Sequence, residues 1–181
     1  DGKRMRLTVQ LIDTRNDRHI LAADYDRDVG HILGLQTEVA RKIADALSAT
    51  LSKLERNELE RVTTNNGDAY ELYLRAVAAG FTTEGDKGLD MEGARRLLEQ
   101  ALRRDPGFSD AAALLSQSCT WMYFFTASAE QAGCARKYYE RALELDPQSP
   151  EARLARGLYE IYISKELDQA IVDLETVVRV R

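Results

Sequence analysis

The first part of the chain alternates between apolar and polar residues, as a half-buried strand does. In residues 4–13, RMRLTVQLID, the apolar side chains occupy odd-numbered positions, namely Met5, Leu7, Val9 and Leu11. Residues 19–28, HILAADYDRD, alternate again, and a polar turn lies between the two runs. The pattern predicts an antiparallel β-hairpin over residues 4–28.

The parity of the alternation constrains the turn of this hairpin. Directly opposed residues of an antiparallel pair share a face, so the odd-numbered residues of the two strands should oppose each other. This requires a loop with an odd number of residues, most simply three, ended by a left-handed residue such as Asn or Asp. Arg4 and Arg6 should then lie opposite or diagonal to Asp26 and Asp28.

A helical pattern follows the hairpin. Between residues 31 and 61, large apolar residues recur at helical spacing with charges on the other face, which predicts one long amphipathic helix. These residues are Leu35, Val39, Ile43, Leu47, Leu51 and Leu54. The polar segment TTNNGD at 63–68 interrupts the pattern. We therefore expect two domains, residues 1–62 and 68–181.

The second domain is repetitive. Three segments align, namely ARRLLEQALRRDP at 94–106, ARKYYERALELDP at 135–147 and AIVDLETVVRVR at 170–181. Their starts are 41 and 35 residues apart, a period typical of helical solenoids. Each segment is predicted to be the second helix of a repeat, and the first helices to lie at about 68–80, 109–125 and 150–163. The three predicted repeats are residues 68–108, 109–149 and 150–181.

These segments resemble tetratricopeptide repeats (TPRs). The resemblance rests on the small residues Ala94, Ala135 and Ala170 and on the Asp–Pro pairs that end the first two segments. It implies a mostly α-helical solenoid of about three helical hairpins, with Ala76, Ser116 and Gly157 equivalent in the first helices. Compared with the usual period, the first two repeats have extra residues between their helices, around 81–93 and 125–133.

The preceding hairpin and helix resemble the end of the TolB-like amino-terminal domain of bacterial proteins. The residues that carry this resemblance are the motifs VQLID, YDRD and LQTEVARKIADAL within residues 3–55. In bacteria that domain precedes TPRs and often follows a class III adenylate/guanylate cyclase, a winged-helix regulator or a kinase domain. The resemblance implies that the chain is the C-terminal part of a bacterial signalling protein, such as an adenylate cyclase.

Net charge and hydropathy argue against two classes of function. The net charge of -5 argues against a nucleic-acid-binding surface, and no apolar run is long enough to cross a bilayer. The chain starts at Asp1 without an initiator or a signal peptide, so we expect a fragment of a longer protein. We expect a cytoplasmic location, whereas a membrane span upstream would place the region in the periplasm.

Three aspartates, Asp24, Asp26 and Asp28, are spaced like the start of a calcium loop. An EF-hand loop counted from Asp24 would need Gly at its sixth position and Glu at its twelfth, where this chain has Val29 and Leu35. We therefore expect cross-strand pairing, or capping of the next helix by Asp28, rather than metal binding.

The remaining polar residues do not predict catalysis. The sequence contains no phosphate-binding loop, no dinucleotide-binding motif and no nucleophile elbow. We therefore expect a non-enzymatic chain without cofactors. Cys119 and Cys134 are predicted on neighbouring helices of one repeat as buried free thiols, because a disulfide would need an oxidising compartment. The aromatic run Trp121–Phe125 is predicted to pack beneath the extra residues of the second repeat, with an exposed docking patch as the alternative.

TPR arrays bind partners on the concave face formed by their first helices. Aligned on Ala76, Ser116 and Gly157, that face would be lined by Tyr73, Val77, Ala113, Gln117, Thr120, Leu154, Leu158 and Ile161. It lacks the basic set that clamps a peptide carboxylate, so we expect an apolar helix or a flanking segment as partner.

We expect the chain to act as a protein-interaction and scaffold module, and to form a homodimer through its hairpin. One alternative is a ligand-sensing TolB-like part whose signal the TPRs relay. Another is a dimerisation element of a transcriptional regulator or kinase.

Overall fold

A computed structural model describes residues 4–28, 32–46, 64–81 and 89–180. The chain divides into two compact units, Asp1–Gly67 and Asp68–Arg181. The hairpin consists of β1 (Arg4–Asp13) and β2 (Arg18–Asp28), followed by α1 (Ile32–Ala46). Among the described residues six further helices follow, namely α2 (Gly67–Gly80), α3 (Met91–Arg104), α4 (Ser109–Thr126), α5 (Ala129–Leu145), α6 (Pro150–Tyr159) and α7 (Leu167–Val180). A π-helical turn, Glu160–Ser164, extends α6.

The hairpin has the predicted parity but not the predicted loop. The strands are antiparallel, and Leu7 lies opposite Tyr25. The loop contains four residues rather than three. A register shift between Leu11 and Ile12 provides the extra residue that restores the odd-to-odd pairing, as a β-bulge does. Asp17, the last residue of the loop, has φ 56°, the predicted left-handed conformation.

The aspartates of β2 pair across the hairpin as expected. Asp26 lies directly opposite Arg6 and accepts a hydrogen bond from Nε of the diagonal Arg4 at 3.1 Å. Asp24 accepts a hydrogen bond from the Thr8 hydroxyl at 2.6 Å. The prediction that the Asp28 side chain caps the next helix concerns contacts that the structure does not describe.

Helix α1 covers the first half of the predicted long helix. Leu35 on α1 and Tyr25 on β2 are buried, and the Lys42 ammonium lies 5.1 Å from the centre of the Tyr25 ring. The ammonium thus makes a cation–π contact that joins the helix to the hairpin. Residues 47–63, which contain the rest of the predicted helix, lie outside the described residues.

The predicted TPR-type solenoid of helical hairpins is confirmed by three helix pairs, α2/α3, α4/α5 and α6/α7. The junctions between the pairs repeat in atomic detail. Asp105 ends α3 and Asp146 ends α5, and each carboxylate accepts a backbone N–H two residues later, from Gly107 and Gln148. Proline, which cannot continue a helix, follows each aspartate.

Small residues bring the helices of each pair together. Ala76, Ser116 and Gly157, which the sequence aligns, are all buried. The Ser116 hydroxyl donates a 2.7 Å hydrogen bond to the Ala135 carbonyl, which ties α4 to α5. A Cβ atom at Gly157 would lie 3.2 Å from Cγ of Leu174, so glycine allows α6 and α7 their close approach.

The predicted extra segment of the second repeat does not form a loop between its helices. Only Ala127 and Ser128 connect α4 to α5. Ala127 has φ 49° and donates its N–H to the Tyr123 carbonyl, and the Ser128 hydroxyl accepts the N–H of Glu130. These two caps let the extra residues lengthen the helices instead. The segment between α2 and α3 includes residues 82–88, which lie outside the described residues.

Candidate partner-binding surface

The middle of the predicted groove is not accessible in this chain. Ala113, Gln117 and Thr120 on α4 are buried. Ala113 belongs to a cluster of buried alanines that also contains Ala142 and Ala152, and the Thr120 hydroxyl donates to a backbone carbonyl of its own helix. Because these side chains expose almost no surface, they cannot contact a partner, and the prediction that they line an open groove is wrong.

The outer parts of the predicted groove keep partial exposure. Tyr73 and Val77 on α2 are half-buried, and the Tyr73 ring packs 5.1 Å from the ring of Phe108. In the third repeat Leu154 and Leu158 on α6, and Ile161 in the π-helical turn, are also half-buried. Five of the eight predicted residues therefore offer apolar surface, and they lie on the first helices of the first and third repeats.

A buried ion-pair network joins the two helices of the third repeat. The Asp173 side chain on α7 is 0% exposed and accepts two hydrogen bonds from the Arg156 guanidinium on α6, at 2.5 and 2.6 Å. Arg153 lies 3.5 Å from the same carboxylate. Because its guanidinium is engaged in this way, Arg156 is not free to bind a peptide carboxylate.

Glu160 lies beside this network at the start of the π-helical turn and is only 5% exposed. Its Oε1 lies 3.8 Å from Arg156 Nε, and its Oε2 has no hydrogen-bond partner among the described residues. Burial, together with the negative charge of Asp173, raises the pKa of Glu160 to about 6. The ionised carboxylate therefore destabilises the folded state at neutral pH.

We expect Glu160→Gln to increase the free energy of unfolding by about 2 kcal/mol at pH 7.5. Because the pKa is higher in the folded state, the ionised carboxylate costs stability above pH 6, and the cost disappears as the pH falls through the range between 6 and 4.5. Urea unfolding of both proteins at pH 4.5 and 7.5 measures the difference. The exposed Glu166→Gln serves as control, and an equal effect of both substitutions would contradict the assignment.

The two cysteines form a disulfide, which corrects the expectation of free thiols. Cys119 on α4 and Cys134 on α5 lie on neighbouring helices, as predicted, with their α-carbons 6.0 Å apart and their sulfurs bonded. Cys119 is buried and Cys134 is half-buried. The bond joins the two helices of the second repeat just before the aromatic end of α4.

The aromatic end of α4 is more exposed than predicted. Phe124 and Phe125 are 58% and 78% exposed, whereas Trp121 is half-buried. The reason is the short connection between α4 and α5, which provides no insert to cover them. Gly80, Phe81, Leu89, Met91, Trp121 and Phe125 line a cavity of about 420 Å³ beside this end of the helix. The sequence pattern identified the aromatic run, but it did not predict that this run lies next to the residues around Gly80.

The described residues contain no cluster of three His, Cys, Asp or Glu side chains that could hold a metal ion. None of the described helices is long and apolar enough to span a membrane. Three of the described aspartates are engaged, because Asp26 accepts a hydrogen bond from Arg4, Asp24 from Thr8 and Asp173 from Arg156.

The chain is similar in sequence to part of a longer bacterial protein. No family model matches the chain. The chain is 34% identical over 115 residues to a protein of Rhizobium meliloti (strain 1021) named "Putative adenylate cyclase 3". The match covers 64% of this chain and 19% of that protein, so the chain spans about a fifth of the length of this relative.

Among solved structures, the chain is similar to the second TPR of Spaghetti (RPAP3), bound in that structure to the HSP90 peptide SRMEEVD. The TM-score is 0.46 and the identity 22%, with 63% of this chain and 93% of the other chain covered.

Proposed function

We propose that this chain is a non-catalytic protein-interaction and scaffold region of a bacterial signalling protein, the C-terminal part of an adenylate cyclase-like protein. The observation that carries the proposal is the array of three stacked helical hairpins, an architecture whose surfaces bind other proteins. The signalling context is supported by the similarity to the Rhizobium meliloti protein. The cyclase activity itself would belong to another part of the parent protein.

The partner surface consists, in this proposal, of the apolar residues that keep partial exposure. They are Tyr73 and Val77 on one side and Leu154, Leu158 and Ile161 on the other. Apolar side chains at helical spacing suit an amphipathic helix, supplied by another protein or by a flanking segment of the parent protein. Arg156 already donates hydrogen bonds to Asp173, so its guanidinium is not available to bind the carboxylate of a peptide. This also favours an apolar partner.

Leu158→Glu should abolish partner binding while leaving the helical content unchanged. The substitution places a charge on the proposed apolar surface, which costs binding free energy unless a partner charge compensates it. Pull-down of partners with the tagged chain, followed by mass spectrometry, measures the effect. Val172→Glu is the matched control, because Val172 is an exposed valine on α7 outside the proposed surface. Equal recovery of partners by both variants would contradict the proposal.

The first unit would be the end of a TolB-like domain. The hairpin followed by α1 supports this assignment, which rests on the motifs of residues 3–55. If that domain senses a ligand, the TPRs would relay the signal, which remains the alternative function. The disulfide between Cys119 and Cys134 favours an oxidising compartment, and therefore the periplasmic alternative over the cytoplasm.

We also expect the chain to form a two-fold dimer through its hairpin. The sheet has two strands in the described residues, and an isolated two-stranded ribbon is marginal in water. Its apolar face, which includes Leu7 and Val9, is only half-buried, and unpaired strand edges recruit other strands. Sedimentation equilibrium at micromolar concentration measures the mass. A monomer of 20.4 kDa with a hairpin protected from hydrogen exchange would contradict the prediction.

A further inference from the structure

Close contacts fix the described elements that border the cavity beside the aromatic end of α4. On one side α2 ends at Gly80, where an added Cβ would lie 2.7 Å from the Ala94 Cβ, so this end of α2 lies directly against α3. The Asp90 N–H donates to the Ala79 carbonyl at 2.9 Å, which ties the start of α3 to the end of α2. On the other side, α4 continues past the disulfide at Cys119.

Among the described residues, the side chains that line the cavity are apolar and none of them is ionisable. Three aromatic rings and a methionine thioether line the space, and the indole N–H of Trp121 is the only polar side-chain group among the lining residues that the structure describes. A charged molecule would lose its hydration there without gaining a partner. An uncharged aromatic molecule would instead gain ring–ring and sulfur–ring contacts.

The size of the cavity also favours a small molecule. Its volume of about 420 Å³ lies within the range of small-molecule sites, roughly 300 to 1,000 Å³. A helix of a partner protein, about 10 Å wide, would need a longer groove than six residues can form. We propose that this cavity, lined by Phe81, Met91, Trp121 and Phe125, is a binding site for an uncharged, largely aromatic small molecule. The residues that line this site are not among those of the partner surface proposed above.

Two neighbouring phenylalanines allow a matched test. Phe125 lines the cavity and is the more exposed of the two, so a bound ligand would cover part of its ring. Phe124 is also exposed but is not among the residues that line the cavity, and its ring contacts the rings of Phe125, Trp121 and Tyr162. Because both rings are largely solvent-exposed, neither Phe125→Ser nor Phe124→Ser should unfold the chain.

The experiment uses the uncharged fluorophore N-phenyl-1-naphthylamine and the purified chain. Trp121 is the single tryptophan of the sequence, so energy transfer from tryptophan to the fluorophore reports binding near the cavity. We expect saturable transfer with one fluorophore per chain. Phe125→Ser should weaken binding by about tenfold, the equivalent of one lost aromatic contact, and Phe124→Ser by less than threefold.

Two results would overturn the proposal. The first is transfer that does not saturate, or that both variants weaken equally. The second is a binding signal that appears only at chain concentrations where sedimentation detects a dimer sensitive to Phe125→Ser, because the cavity would then be filled by a second copy of the chain. As a further check, Leu89→Asp puts a charge into the lining and should also abolish transfer, with circular dichroism confirming that the variant is folded.

Discussion

Replacing Asp173 with alanine will lower the free energy of unfolding by about 3 to 5 kcal/mol. The Asp173 carboxylate is completely buried and accepts two short hydrogen bonds from Arg156. Removing it leaves the guanidinium, which is itself only 26% exposed, without its main partner. The loss should be large because an uncompensated charge remains in a poorly solvated site.

Chemical unfolding followed by circular dichroism measures the effect of Asp173→Ala. Glu175→Ala on the same helix is the control, because the Glu175–Arg179 pair is exposed and should contribute less than about 1 kcal/mol. Similar values for the two variants would mean that the Asp173 network does not hold α6 and α7 together.

Loss of the Cys119–Cys134 disulfide is the second change with a large expected effect. The two cysteines are 15 residues apart, and closing a loop of that size stabilises the folded state by about 3 kcal/mol. Cys134→Ser should therefore lower the free energy of unfolding by about that amount. Cys134 is the suitable position because it is half-buried, whereas a serine at the fully buried Cys119 would add a desolvation cost.

A reducing agent provides the control for this prediction. Reduction should destabilise the unsubstituted chain as much as Cys134→Ser does, and it should leave the variant unchanged. Thermal unfolding with and without reductant makes the comparison. If reductant has no effect on the unsubstituted chain, the disulfide does not stabilise the second repeat. Trapping of thiols with an alkylating reagent in intact cells reports in which redox compartment the region resides.

The repeats could be predicted from the sequence because their packing demands a particular residue size at particular positions. Ala76, Ser116 and Gly157 are buried where first and second helices approach, and only small residues fit there. The Asp–Pro pairs after α3 and α5 marked the helix ends for a similar reason, since the aspartates cap and the prolines cannot continue.

Features that depend on how extra residues are accommodated could not be predicted. The predicted parity of the hairpin was correct, but parity alone does not distinguish a three-residue loop from a four-residue loop combined with a register shift between Leu11 and Ile12. In the same way, the longer second repeat is consistent with an insert or with longer helices. Ala127 adopts the left-handed conformation that ends α4 only two residues before α5, so the extra residues lengthen the helices. No insert then covers Phe125, which stays exposed.

For the candidate site, the sequence pattern could not predict how deeply the side chains are buried. Helical spacing placed Ala113, Gln117 and Thr120 on one face of α4, yet it carries no information on what packs against that face. The pairing of the cysteines and the cavity near Gly80 likewise depend on contacts between segments far apart in the sequence.

Site-specific photo-crosslinking in the full-length parent protein tests the central claim, that the half-buried apolar residues of the first helices bind a protein partner. A photoreactive phenylalanine analogue at position 158 should form a discrete crosslinked product in cells, to another protein or to a flanking segment of the same protein. The same analogue at position 172, on the exposed side of α7, should not form that product. Equal crosslinking from both positions, or none from position 158 in a folded protein, would contradict the account.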